Sequence, residues 1–249
     1  MGKLSGKVAV VTGASKGIGA GIAKEFAAEG ASVVVNYASS REGADKVVAE
    51  ITAKGGKAIS VGGDVSKAAD VKSLFDATQK AFGRLDILVN NAGVYKFAPI
   101  EEVTEADYRW NFDINVLGPL LATKEALKHF SAEGGSIINV SSVAAFSPTP
   151  TASVYSGTKG ALDTISLVLA HELGPRNVRV NSLSPGITET EGVHTLGVIG
   201  SDFEKDLVGR TPLGRVGQAE DIAKVAVFLA SDDSRWVTGE RLAASGGLR

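Results

Sequence analysis

Hydrophobic and polar positions along this chain fall into two alternating regimes. Short, dense runs rich in valine and isoleucine are separated by longer stretches in which apolar residues return every three or four positions. The first pattern reads as buried strands and the second as amphipathic helices. Strands are predicted at Lys7–Thr12, Ser32–Asn36, Ala58–Gly62, Leu85–Val89, Ser136–Val140, Val178–Leu183 and near Arg241–Ala243. Helices are predicted at Ala20–Glu29, Arg41–Lys54, from about Lys67, at Glu101–Leu117, from Tyr155 to Leu173 and at Ala219–Ala230. Strands alternating with helices specify an α/β fold, because parallel strands need a crossover and the crossover is usually a helix. One doubly wound parallel sheet with helices on both faces accounts for the whole pattern, so a single domain is expected.

One stretch departs from it. Glu189–Gly209 is irregular and mixed, yet carries Val193, Leu196, Val198, Ile199 and Phe203. A loop this long in a compact domain is usually functional. It is read either as a solvated excursion or, because its apolar residues need something to cover, as a substrate lid.

Composition narrows the class. The chain has 249 residues, 44% of them hydrophobic, enough for one large core. A net charge of −2 gives no reason to expect nucleic acid or an anionic membrane as partner, and the apolar runs are too short to span a bilayer. The start, MGKLSGKVAVVTG, has no signal-like apolar core, so a cytoplasmic location is expected. Without cysteine there are no thiolate sites, and His129, His171 and His194 lack ligand spacing, so no metal is expected.

Two constellations carry chemistry. After the first strand comes Gly13-Ala14-Ser15-Lys16-Gly17-Ile18-Gly19, then a helix. Strand, glycine loop and helix form the setting in which backbone approaches a pyrophosphate and the helix N-terminus receives its charge. The alternative is an ordinary glycine turn. The second constellation is Tyr155, four residues before Lys159. On a helix the two share a face. A phenol with its usual pKa near 10 is a poor proton exchanger at neutral pH, and a neighbouring cation lowers that value. The pair is a candidate general acid–base.

The spacing T-G-x-x-x-G-x-G at Thr12–Gly19, the N-N-A-G at Asn90–Gly93 and the Tyr155/Lys159 pair resemble the classical short-chain dehydrogenase/reductase family. The resemblance covers essentially the whole chain. It implies a Rossmann-like sheet of about seven strands in the order 3-2-1-4-5-6-7. A cofactor half of about residues 1–135 and a catalytic and substrate half of about 136–249 are expected. It also implies hydride transfer between a nicotinamide cofactor and a carbonyl/alcohol pair. Tyr155 would be the proton donor and Lys159 the group that lowers its pKa and binds the ribose. Ser142 would hold the carbonyl, with Ser141 the competing candidate, and Asn115 would kink its helix and hold a water of the proton relay. The implied cofactor contacts are Gly13, Ser15, Lys16, Gly17, Ile18 and Gly19 in the loop, with Asn91, Ala92 and Gly93 after the fourth strand. Pro185, Gly186, Ile187 and Thr188 would lie at the nicotinamide. Asp64, with Val65, would meet the adenine, or Asp64 is an N-cap of the following helix.

The second strand ends in Asn36 and Tyr37 where NAD-binding sites usually carry an acid. A neutral residue there imposes no repulsion on a 2′-phosphate, and Ser39, Ser40, Arg41 and Lys16 offer it donors, unless the two cations are simply solvated. NADP(H) is the expected cofactor, with NAD(H) left open. Val94, Phe97, Val143, Phe146 and Val193 suggest a hydrophobic ketone or a 3-oxoacyl substrate. A sugar dehydrogenase and a silent dinucleotide sensor are the alternatives. An acyl carrier protein is a doubtful partner, since Ser131–Gly135 lacks basic residues and Arg176 alone remains as a contact. The apolar run Ala161–Leu173 and the resemblance together suggest a homotetramer.

Overall fold

The computed structural model describes residues 2–147, 149–195 and 197–249, so the predicted lid residue Leu196 lies outside it. Seven strands form one sheet: β1 (Val8–Val11), β2 (Ser32–Tyr37), β3 (Lys57–Gly62), β4 (Ile87–Asn90), β5 (Gly135–Val140), β6 (Val178–Pro185) and β7 (Arg241–Ala244). Their order is β3-β2-β1-β4-β5-β6-β7, and every neighbouring pair is parallel. The seven predicted strands, the order and the parallel sense all hold.

Residue alternation divides the core. Ala9, Val11, Val33 and Val35 face one side, where they pack with α1 (Gly17–Ala28), α2 (Arg41–Ala53) and α9 (Ala219–Ala230). Val10, Val34, Leu88 and Val180 face the other, against α3 (Ala68–Phe82), α5 (Gly118–Ala126) and α6 (Ser153–Leu173). Strands buried on both faces read as unbroken apolar runs, which explains the dense pattern in the sequence. On the first side α1 and α9 approach closely at Gly21, where a Cβ would stand 2.9 Å from that of Ala219.

Three elements differ from expectation. The predicted helix Glu101–Leu117 is broken into a short 3₁₀ turn at Ile100–Glu102, α4 (Glu105–Phe112) and a π-helical turn at Asp113–Leu117, which runs on into α5. Thr104 starts α4 by accepting a hydrogen bond from the Asp107 backbone N–H at 3.1 Å. The π turn surrounds Asn115, whose side chain bonds outside its own helix. Second, Glu189–Gly209 contains α7 (Glu191–Thr195) and α8 (Asp202–Gly209), the latter capped by Ser201. Third, α1 begins at Gly17, inside the glycine loop, rather than at Ala20.

Candidate active site

The C-terminal ends of β1, β4, β5 and β6 converge on one cleft, the edge of an open parallel sheet where ligands bind. Its floor is a lock between the loops after β1 and β4. Thr12 Oγ1 accepts from the backbone N–H groups of Asn91 and Ala92, both at 3.0 Å. In return the Asn91 amide donates to the carbonyls of Thr12 at 2.9 Å and Gly13 at 3.1 Å. Glycines make the approach possible. A Cβ on Gly13, whose φ is +61°, would lie 2.7 Å from Ala92 Cα, and one on Gly19 would collide with the Asn91 amide.

The four expected catalytic residues meet here. Tyr155 and Lys159 lie on the first turns of α6, with the Lys159 ammonium 5.7 Å from the Tyr155 ring centroid. Lys159 is buried and donates to the Val140 carbonyl at 2.9 Å. Ser142 caps the turn after β5, accepting from the Ala144 N–H at 3.1 Å, and its hydroxyl is within reach of the Tyr155 phenol. The two serines stand in different surroundings. Ser141 is buried and donates to the Lys159 carbonyl at 3.2 Å, so it braces α6, while Ser142 stands beside Tyr155. Asn115 accepts from Val94 N–H at 2.8 Å and donates to the Val94 carbonyl at 2.8 Å and to Thr158 Oγ1 at 3.1 Å. Both amide protons are thereby used, and the side chain ties the π turn to α6. A Cβ on Gly93 would sit 3.4 Å from Asn115 Oδ1 and 3.5 Å from Lys159 Nζ, so this backbone lines the cluster directly.

The electrostatics correct one expectation. Burial pushes the half-buried Tyr155 up to about 12, against a smaller lowering by the Ser142 hydroxyl. Burial also pulls Lys159 down to about 8, opposed by the Asp163 carboxylate one turn further along α6. Desolvation dominates the phenol here, and the ammonium is turned to the Val140 carbonyl. The resting pair is a neutral phenol beside a readily discharged amine.

The residues present fit a dinucleotide. The first turn of α1 has no acidic residue, its N-cap Lys16 makes no side-chain cap, and Ser15 and Ile18 are half-buried at its mouth. Asn36, expected as the neutral cofactor-side residue at the end of β2, has its side chain engaged by the scaffold. It is buried, accepts from Gly13 N–H at 3.3 Å and donates to the carbonyls of Val61 and Gly63 at 3.2 and 3.1 Å. Strand alternation turns it to the α3 face, away from the ligand edge. Tyr37 packs on Gly62, leaving the exposed Ser39, Arg41 and Lys16, with the half-buried Ser40, to meet a phosphate. Asp64 is not the N-cap of α3, which is Lys67; it holds a turn by accepting from the Ser66 backbone and hydroxyl at 3.0 and 2.7 Å. Val65 is buried, its side chain turned under Gly118. Pro185 ends β6, Gly186 abuts Ser245, and Ile187 and the buried Thr188 face the cleft.

The cleft encloses about 300 Å³. Phe97, Val143 and Val193 line it as expected, joined by Tyr95, Val198, Phe203 and Leu207. Tyr95 lies in a loop without periodicity and was missed; its ring stands edge-on to Tyr155 at 6.0 Å. Two expected lining residues lie elsewhere: Val94 serves Asn115 through its backbone, and Phe146 lies under the Arg241 guanidinium at 4.1 Å. Arg176, proposed as a carrier contact, donates to the Leu127 carbonyl at the end of α5. A recess of about 510 Å³ at the opposite edge of the sheet contains Arg179, whose guanidinium is engaged by the carbonyls of Val237, Leu229 and Ser231.

Burying Lys159 makes stability depend on pH. Below pH 8 the side chain is charged in both folded and unfolded chains, and its burial opposes folding. Between about 8 and the ordinary value of 10.5 the folded form has lost the proton while the unfolded form holds it, so stability rises with pH. Tyr155 acts in the opposite sense between 10 and about 12, where only the unfolded phenol ionises. Lys159→Met is expected to lose the rise that starts near pH 8. Urea unfolding of both proteins between pH 7.5 and 10 checks this, and equal slopes would contradict it.

Residues 13–249 match a family model described as enoyl-(acyl carrier protein) reductase. The chain is 65% identical to an uncharacterized oxidoreductase of Methylorubrum extorquens over the full length of both. It is 41% identical to a probable tetrahydroxynaphthalene reductase of Zymoseptoria tritici, covering 98% of this chain and 95% of that one. A short-chain dehydrogenase from Burkholderia cenocepacia, solved in complex with NADP, superposes with a TM-score of 0.92 at 36% identity over 99% of each chain. With the sheet order and the Tyr155 cluster, these matches place the chain in the classical short-chain dehydrogenase/reductase family of NAD(P)-dependent oxidoreductases.

Proposed function

We propose that this protein is an NADP(H)-dependent reductase of hydrophobic ketones, interconverting a carbonyl and a secondary alcohol. The observation that carries the reading is the meeting of Tyr155, Ser142 and Lys159 at the floor of a largely apolar cleft. Bound in the glycine cradle, the cofactor would supply the hydride. The chain's own part is orientation and proton transfer. Ser142, with Oγ held as an acceptor by Ala144 N–H and its hydroxyl beside the Tyr155 phenol, would turn its proton to the carbonyl oxygen. Tyr155, neutral with a pKa of about 12, is in the right state to give its proton to that oxygen. The phenolate left behind would draw on the Lys159 ammonium, which is charged below about pH 8. Asn115, by fixing Thr158 and Val94, holds the turn that carries Tyr155, and a water of the proton relay would be held beside this turn.

The lining supports a ketone rather than a sugar. Phe97, Val143, Val193, Val198 and Phe203 give the cleft a mainly apolar wall, which favours a hydrophobic ketone over a polyol. The probable tetrahydroxynaphthalene reductase among the relatives supports an aromatic or otherwise planar ketone. Tyr155→Phe is expected to lose at least ~10²-fold in turnover of 1-tetralone while binding cofactor normally. Near-normal turnover would remove Tyr155 from the donor role.

For the cofactor, the absence of an acidic side chain at the end of β2 and the donors of Ser39, Ser40, Arg41 and Lys16 support NADP(H), as does the NADP complex of the Burkholderia relative. Arg41 makes only an exposed 3.5 Å pair with Asp45, so its guanidinium can turn to a 2′-phosphate. Arg41→Ala should lower kcat/KM for NADPH about threefold to tenfold, a change of up to ~1.4 kcal/mol, with little effect on NADH. Equal losses for both cofactors would refute the assignment. As an assembly we propose a homotetramer, supported by Leu167 and Val168, about half exposed on α6 (48% and 49%). Light scattering should give four times the chain mass, and an active monomer at assay concentration would exclude it.

A further inference from the structure

The N-terminus of α1 is the anion seat of this fold, and in the structure it is held by a carboxylate from far along the chain. The Gly17 N–H donates to Glu191 Oε2 at 3.0 Å across 174 residues of sequence. Nothing local competes: Lys16 forms no side-chain cap, and the first turn of α1 carries no acid. We propose that Glu191 is an affinity-setting residue for the dinucleotide, its carboxylate standing where the pyrophosphate must go and leaving when the cofactor enters. This rests on the dinucleotide reading of the glycine loop given above.

Neighbouring residues show that the contact is seated. Thr190 carries Glu191 into place, its methyl lying 3.2 Å from where a Gly17 Cβ would be, and its hydroxyl accepts from Val193 N–H at 3.3 Å. The other carboxylate of this segment, Glu189, is engaged by Gln218 and His194, both at 2.9 Å, so it belongs to the frame. Glu191 is the anion that faces the loop. Two negative groups cannot share one helix terminus, since each gains from the same N–H groups and repels the other. Entry of a pyrophosphate therefore requires that the carboxylate withdraw.

The withdrawal has a second consequence. Gly192, the next residue, lies so close to the Tyr95 hydroxyl that a Cβ there would collide with it, and Val193 and Val198 of the same segment line the substrate cleft. Glu191 and the wall of the cleft thus sit on one short helix, so cofactor entry at Gly17 shifts the surface that meets the ketone.

The test is equilibrium binding of NADPH to the substrate-free enzyme, read by the cofactor's own fluorescence at fixed ionic strength. Glu191→Gln keeps the size and an acceptor but removes the charge. It should tighten NADPH at least about threefold, the scale of one charge at a helix terminus, and slow NADP release by a similar factor in stopped flow. Inorganic pyrophosphate should likewise protect the variant against NADPH at lower concentration than the wild type. Unchanged or weaker NADPH binding in Glu191→Gln overturns the proposal, the carboxylate then organising the site or standing clear of it. If the unmodified protein binds neither NADPH nor NADH, the dinucleotide reading falls first, and the role of Glu191 falls with it.

Discussion

The site depends on the lock between Thr12 and Asn91 at the ends of β1 and β4. Four hydrogen bonds of 2.9–3.1 Å join two loops that are separated by about eighty residues of sequence and adjacent in the sheet. They fix the distance between the glycine loop and the segment through Gly93. From the first hangs the N-terminus of α1. From the second hang Gly93 and Val94, against which Asn115 and Lys159 are placed. Cofactor cradle and proton-transfer group are therefore referenced to one rigid junction, which is what preorganised chemistry requires.

Burial of Tyr155 and Lys159 sets the chemical character of the site against the stability of the fold. A charged lysine without a full set of partners opposes folding, and among the described residues its ammonium donates to the Val140 carbonyl. The same desolvation keeps the phenol protonated and makes any charge that develops on it strongly felt by its neighbours. A site tuned for reduction thus begins with the acid loaded.

Much of this was legible in the sequence, for identifiable reasons. Strands buried on both faces write themselves as valine runs, so the parallel sheet follows from spacing, while its strand order is legible only through the family resemblance. The Tyr155/Lys159 pair and the glycine loop are local patterns, and folding keeps each of them together in one element or turn. Asn36 was misread because its place at the end of β2 was weighed without its side; alternation puts it with Val34 on the α3 face. The π turn at Asp113–Leu117 is stabilised by Asn115 reaching Val94 and Thr158; periodicity gives no sign of it, and only the kink that the family resemblance implies at Asn115 points to it. The helices α7 and α8 are too short to show periodicity, and Tyr95 sits in a loop where only the fold says which way it points. The rise that burial imposes on Tyr155, opposed by the Ser142 hydroxyl, follows from the fold and not from local sequence.

A line of buried polar groups explains how α6 is held in register. The Asn90 amide donates to Asn139 Oδ1 at 2.8 Å, the Asn139 amide donates to Ser166 Oγ at 2.8 Å, and Ser166 donates to the Leu162 carbonyl at 2.7 Å. Nearer the cleft, Ser182 donates to Asp163 at 2.5 Å. Apolar packing of a helix on a sheet tolerates small slides, since area changes little along the groove. Hydrogen bonds do not, because a buried donor pulled out of reach loses its partner and cannot recover water. The line crosses β4, β5 and α6, with β6 added by Ser182, so it fixes the rise and rotation of α6 relative to the strands that end at Asn91 and Ser142. Tyr155 lies eleven residues before Ser166 and eight before Asp163 on that helix. With 3.6 residues per turn, a slip of one residue there would swing its ring by about 100° and out of the cleft. Polar residues in this core therefore do for the position of the phenol what the Thr12–Asn91 junction does for the cradle.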